Sequence, residues 1–381
     1  MPRCIYTLRE FESANGEHIL QNFLGARWTS KKIVCNEQQA IFGTTIDSAL
    51  EKALRPIRNL FGTRGGRGEP APSLRKLQGS DGELYDLEPC FRSRLNQPSV
   101  KMMDASEGRM RAQLLLGNMK QLGWALSMLR GEVPDVSVDE EDLRDSSKTV
   151  ALPECRIDLQ LNLGGEEYFR GMLKSCFNLL AVNYPCAAYE PCFDAIRNSI
   201  LTGGKSFQQF IRWIPTSAPL DIPRLGLIDQ AIFIVSRGAS VEGVAQFFGD
   251  IVHAFQLTDS YAGSPIRCGY VVDPLRGALP AETRDPDFSD ESIPVYADQS
   301  KATSAVVATF QERSSRILRV LHYERVMQQI IEETVQEVVD IYKGQPLSPE
   351  IEGLLANRFV ERIANYMGAG NIICADSNKV E

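Results

Sequence analysis

Long apolar runs are missing from this sequence of 381 residues. No stretch approaches the roughly 18–20 residues that cross a bilayer, and the opening MPRCIYTLREFESANGEH carries no apolar segment of the kind that directs secretion. The expectation is a soluble, cytoplasmic protein with no membrane partner. Histidine is scarce, at three residues. His253 falls in an apolar strand-like run and His322 on an apolar helix, so both read as structural. Cysteines number nine, an odd count in a chain of this size without a secretion signal. That argues against a disulfide framework and for small buried hydrophobes. Internal repeats are absent, as are a serine-hydrolase elbow, a dinucleotide fingerprint and a kinase motif set. LTGGKS at 201–206 has the tail of a phosphate-binding loop, but Ser199 stands where its first glycine belongs, and a helix precedes it where a strand is needed. Cys186 and Cys192 are too widely spaced for a metal knuckle.

Hydrophobic residues make up 43% and charged residues 24% of the chain, an ordinary globular balance. The length allows two or three domains. The net charge is −8, which speaks against a wholly nucleic-acid-binding surface. The charge is unevenly spread, however. Residues 1–76 carry 12 Lys/Arg and 7 Asp/Glu, and the remainder 29 and 42. A basic segment on an acidic chain suits a localised anionic partner, because phosphate contacts need only a local basic surface.

Periodicity divides the chain into four parts: a compact unit over 1–65, a linker or extended segment over 66–105 that opens on the Gly/Arg/Pro-rich 62–82, a mixed region over 106–300, and helices over 301–370. Within the first, a β-like piece over 4–8 and a short strand over 32–35 lead into a helix over 36–54, whose apolar residues recur at three- and four-residue steps. Further helices are expected over 106–130, 166–182 and 192–201, strands over 155–163, 227–236, 244–249, 251–257 and 268–272, and an acidic exposed loop over 131–147. The C-terminal part reads as helices over 303–342 and 349–367, the last with Ser348 as its cap and Pro349 in its first turn. The fold class is α+β.

One constellation carries chemistry: Cys4-x-x-Thr7, Glu17-His18, Leu24-Gly25, Cys35-x-x-Gln38-Gln39 and Phe42-Gly43-x-x-x-Asp47. In order and spacing it resembles the HNH endonuclease family, in the subgroup with a zinc-knuckle-like pair of Cys-x-x-Cys motifs. Arg67–Pro70 also looks like members that extend beyond the finger, and weaker similarity runs through 169–181, 193–200 and 246–249. The resemblance implies an N-terminal ββα-metal finger and hydrolysis of phosphodiester bonds in DNA or RNA with one Mg or Mn ion. By position, His18 would be the general base and Glu17 a metal ligand. Gln39 would take the place of a helix-borne Asn ligand, and Lys32 would stand near an orienting Asn. Cys4 and Cys35 would be half of a zinc knuckle. Thr7 and Gln38 replace the other two thiols, and two thiolates do not close a structural zinc shell, so structural zinc is not expected. Arg27, Trp28, Lys31, Lys32, Arg64 and Arg67 form the basic, stacking-capable set that could meet a nucleic acid. The alternative is a catalytically degenerate HNH-fold protein that binds nucleic acid or another protein; oligomerisation is left open.

Overall fold

The computed structural model describes residues 1–90, 92–103, 111–133, 156–212, 225–249, 251–275, 280–288, 299–343, 345–346 and 348–366. The acidic stretch 134–147 expected as a loop lies outside the described residues. Contacts divide the chain into two units, Met1–Thr309 and Phe310–Glu381. No helix among the described residues is long and apolar enough to cross a membrane. Helices and antiparallel sheets together make the fold α+β.

The first unit opens with a two-residue ladder, in which β1 (Glu17–His18) pairs with β2 (Thr29–Ser30). Helices α1 (Asn36–Thr44) and α2 (Ile46–Phe61) follow. The sequence reads as one helix over 36–54, but the structure breaks it at Thr45 (φ −114°, ψ −95°). The hydroxyls of Thr44 and Thr45 both donate to the carbonyl of Ile41, a back-bonding that competes with helix continuation. The segments 4–8 and 32–35 are not strands; Ile5 N–H donates to Ile33 O at 2.9 Å and ties them together.

The segment expected after residue 65 as linker or extended chain carries short strands. β3 (Leu74–Gln78), β4 (Leu84–Glu88) and β5 (Arg92–Leu95) form an antiparallel sheet, and β6 (Ser99–Met103) pairs with β7 (Arg111–Leu115). Of the helix expected over 106–130, residues 106–110 lie outside the described residues, 111–115 form β7, and the helix found is α3 (Leu122–Glu132). Gly66 has no room for a side chain: a Cβ there would collide with the carbonyl of Ala26. The Gly-rich stretch is therefore folded back onto residues 22–26, and Gly66 N–H donates to Asn22 O at 2.8 Å.

Helix α4 (Glu166–Asn183) is buried on nearly every side. A helix with that property belongs inside a domain. It lies on a six-stranded antiparallel sheet of order β13-β12-β9-β10-β11-β8, comprising β8 (Ile211–Arg212), β9 (Gln230–Arg237), β10 (Ser240–Phe247), β11 (Ile251–Thr258), β12 (Arg267–Asp273) and β13 (Ala281–Arg284). The strand runs expected here are found, and β13 is a further strand; of the strand expected over 155–163, residue 155 lies outside the described residues and 156–163 contribute a bridge from Ile157 to Gly79. On one face, Ala231, Phe233, Val244, Ala254 and Val271 pack with Phe288. The other face meets α4: Cys176 sits at Gly243, and the Tyr168 hydroxyl lies 3.2 Å from His253 Nε2. α5 (Asp194–Thr202) follows α4 at the end of this layer.

The second unit contains most of α6 (Gln299–Ile341) and α7 (Pro349–Tyr366). Arg362 reaches Glu333 and Glu337 at 2.8 Å each, so these helices run side by side. Ser348 Oγ accepts from Ile351 N–H at 3.4 Å, near the start of α7. His322 is exposed on α6.

Candidate active site

β1 carries Glu17 and His18 to the wall of a cavity of about 500 Å3. The short ladder with β2 fixes the alternation that sends the buried Glu17 inward, while His18 pairs with Thr29 across the hairpin. Opposite them, α2 begins with Ile46-Asp47, so Asp47 lies in its first turn, where a carboxylate is favoured by the helix dipole. Helix α4 closes the third side. It approaches α2 closely because residue 171 is glycine; a Cβ there would stand 3.0 Å from the carbonyl of Ile46.

The centre of the arrangement is Lys174, only 2% exposed. Its Nζ lies 2.6 Å from Glu17 Oε1 and 2.6 Å from Asp47 Oδ2. Burial works against the ammonium, but Asp47 and Glu17 outweigh it and hold the Lys174 pKa above its ordinary value. Gln21 and Asn178 brace the two carboxylates: Gln21 Nε2 donates to Asp47 Oδ1 at 3.0 Å, and Asn178 Nδ2 donates to Glu17 Oε1 at 3.3 Å and to His18 O at 3.1 Å. These braces are themselves held, Gln21 by the Ser175 hydroxyl at 3.0 Å and Asn178 by the Tyr6 hydroxyl at 2.8 Å. Lysine, carboxylates, amides and hydroxyls thus satisfy one another in a single network, as buried polar groups must.

His18 is neutral at physiological pH. Burial first, then the nearby charges of Arg67 and Lys174, bring its pKa down to about 4, although Asp47 and Glu69 pull the other way. Among the described residues, its Nδ1 is buried and has no hydrogen-bond partner. Unprotonated, the imidazole at the cavity wall has a lone pair with which to accept a proton, although its buried Nδ1 is closed to water. Two further carboxylates line the cavity. Glu51 pairs with Arg58 at 3.4 Å, and Glu69 accepts from Arg67 N–H at 3.2 Å and from Asn22. The lining thus holds four carboxylates against the cations of Lys174 and Arg58, an excess of negative charge that resists a bare phosphate unless a further cation accompanies it.

Of the residues expected to act, the structure brings Glu17 and His18 together and sets Gln39 apart. The Gln39 amide donates to Asn15 O and Val34 O at 3.0 Å each, spanning the loop before α1, and it does not line the cavity. Asp47, at the start of α2, takes that side of the site instead. Cys4 and Cys35 lie close to one another. Burial raises the Cys4 thiol pKa, but Thr7 and the backbone amides of Thr7, Cys35 and Tyr6 more than reverse this, whereas burial pushes Cys35 up. Gln38, in the second knuckle position, is buried. Among the described residues, no group of three or more His, Cys, Asp or Glu is arranged to hold a metal ion.

The basic set is divided. Arg27 is drawn to Glu282 on β13, its backbone N–H donating at 3.1 Å. Trp28 packs edge-on to Tyr270 at 5.2 Å with Arg284 over its ring at 4.7 Å, so its faces serve the sheet. Lys31, Lys32, Arg64 and Arg67 are exposed, and of these Arg67 acts on His18. Lys174, Ser175 and Asn178 have a signal in the sequence: polar residues three and four apart, on one stripe of the otherwise apolar run 171–182.

No family model, curated protein or solved structure matches this chain.

Proposed function

We propose that this site hydrolyses phosphodiester bonds in DNA or RNA as an HNH-type nuclease, with His18 as general base. The observation that carries the reading is the placement of a neutral imidazole at the cavity wall beside two carboxylates that converge on one cationic point. The β1–β2 hairpin followed by α1 matches the order of a ββα finger, which supports the family resemblance on grounds other than motif spacing.

The resemblance implies a divalent ion. Lys174 Nζ marks where a cation meets oxygens of both Glu17 and Asp47, so these residues would hold one Mg or Mn ion, with Asp47 in the role that motif position assigns to Gln39. Oxygen donors of this kind suit either ion. The donor set fits only when the ammonium is elsewhere, because both oxygens are otherwise occupied. Bound there, the ion would supply charge relief to the leaving oxygen. His18 takes a proton from water, Asn178 fixes the strand that bears it by holding the His18 carbonyl, and Arg67 places positive charge near the imidazole. The exposed Lys31, Lys32 and Arg64 would add salt-sensitive phosphate contacts.

A plasmid-nicking assay with added Mg or Mn tests the proposal: cleavage by the wild type, lost in a folded His18→Ala protein, is expected. A second reading, the degenerate fold that binds nucleic acid or protein without cleaving, is favoured by the ammonium lying where the ion would lie. Salt-sensitive DNA binding with no cleavage under any divalent ion would select it over hydrolysis.

A further inference from the structure

We propose that the second unit is a self-association surface: the exposed apolar stripe of α6 packs against the same stripe of a second copy of this chain, the two copies of the helix running antiparallel.

The stripe is built on α6. Val320, Tyr323, Ile331, Val335 and Val339 are 41% to 56% exposed, and the half-buried Met327 stands between Tyr323 and Ile331. The steps between neighbours are three or four residues, which keeps the set on one side of a helix. Beside the stripe, α6 and α7 leave an apolar groove of about 220 Å3 between Val335, Val338, Val339 and Tyr342 on one side and Ile351 and Leu355 on the other. Seven of the fifteen large apolar side chains exposed among the described residues belong to this smaller unit. Single exposed apolar residues are ordinary, whereas a contiguous run of them marks a surface that another molecule covers.

Charge selects a second copy as that molecule. Residues 312–325 carry four arginines against two glutamates, while residues 332–362 carry seven carboxylates against Lys343, Arg358 and Arg362. Glu333 and Glu337 are engaged within the hairpin by Arg362 and Arg358. Arg316 and Arg319 stand exposed at the basic end, and Asp340 and Glu350 stand exposed toward the acidic tip. A two-fold axis across the middle of the stripe, near Ile331, returns the stripe onto itself and lays each basic end over the acidic tip of the other copy. Parallel pairing would set like charges side by side. Size agrees as well. Two adjacent helices about 30 Å long and about 20 Å wide offer a projected face of roughly 600 Å2, close to the roughly 800 Å2 per partner of a specific interface.

Sedimentation equilibrium of the full chain at micromolar concentration is the test. Wild type is expected at twice the chain mass, and Val335→Asp/Val339→Asp to loosen the dimer at least about tenfold. Arg316→Glu/Arg319→Glu makes both ends acidic, and Asp340→Lys/Glu350→Lys makes both ends basic. Each should dimerise more weakly alone, and a mixture of the two should recover the dimer, which also shows that both are folded. A monomeric wild type overturns the proposal and leaves the stripe to a different protein. A dimer unchanged by Val335→Asp/Val339→Asp places the contact elsewhere and overturns it too. So does a mixture that stays monomeric although both charge variants melt like wild type.

Discussion

The two faces of helix α4 are buried to similar depth by opposite means. Toward the sheet, Cys176 and Tyr168 meet strands whose inward residues are almost all apolar, and the far side of those strands is a cluster built on Phe233 and Val244. Toward α2 and β1, the same helix presents Lys174, Ser175 and Asn178 to carboxylates and amides. The first contact is non-directional and gains from area alone. The second requires each donor to meet its acceptor, and loses heavily when one partner is removed.

The largest effects should expose that contrast. Phe233→Ala and Lys174→Ala are each expected to destabilise the first unit by about 3–5 kcal/mol, one by a cavity and one by stranding two buried carboxylates. They should differ in rescue. Neutralising the acids in a Lys174→Met/Glu17→Gln/Asp47→Asn protein should return much of the lost stability in urea titrations, whereas no polar change can refill the Phe233 site. If the triple variant were as unstable as Lys174→Ala, the charge account of this face would fail.

A smaller effect concerns pH. Burial holds His18 at about 4 and His253 at about 3, below the ordinary 6.5 that each regains on unfolding. Between those values the unfolded chain binds more protons than the folded one, so stability falls as pH drops from about 6.5 toward 4. Thermal melts across that range should show the slope, and His253→Phe should flatten it. For catalysis the same depression means that His18 stays unprotonated through neutral pH, without the inflection near 6.5 that an exposed histidine gives.

The smallest is Gln39→Ala. The amide joins two loop carbonyls, so its loss should cost about 1–2 kcal/mol of stability, read as a modest shift in denaturation midpoint, and should leave Mn binding unchanged.

Much of the apolar face is legible in the sequence alone. The strands over 230–273 and the helix at 166–183 follow from alternation and helical period, because burial against one continuous core imposes those periods. The polar face is legible only in part. Glu17 and His18 stand out through the family resemblance, and Asp47 lies within the same motif but without a role assigned by it. Lys174 is polar in an apolar helix, yet nothing local shows that its partners lie 157 and 127 residues away. Position within a motif gives Gln39 a ligand's place, yet its amide spans the carbonyls of Asn15 and Val34: spacing fixes which residue follows Gln38 but not where a side chain one methylene longer will turn. The 66–105 segment reads as linker because glycine and proline dominate its start. In the fold those glycines allow the backbone to lie against Ala26, and the strands after them pair locally.

The initial rate of Mg-dependent plasmid nicking by Asp47→Asn and Gln39→Ala, side by side at matched folded fraction, tests the site most directly. On the proposed reading, Asp47→Asn loses nearly all cleavage and Gln39→Ala retains it. Loss in Gln39→Ala with activity kept in Asp47→Asn would contradict the convergence of Glu17 and Asp47 on a common cation, and with it the site described above.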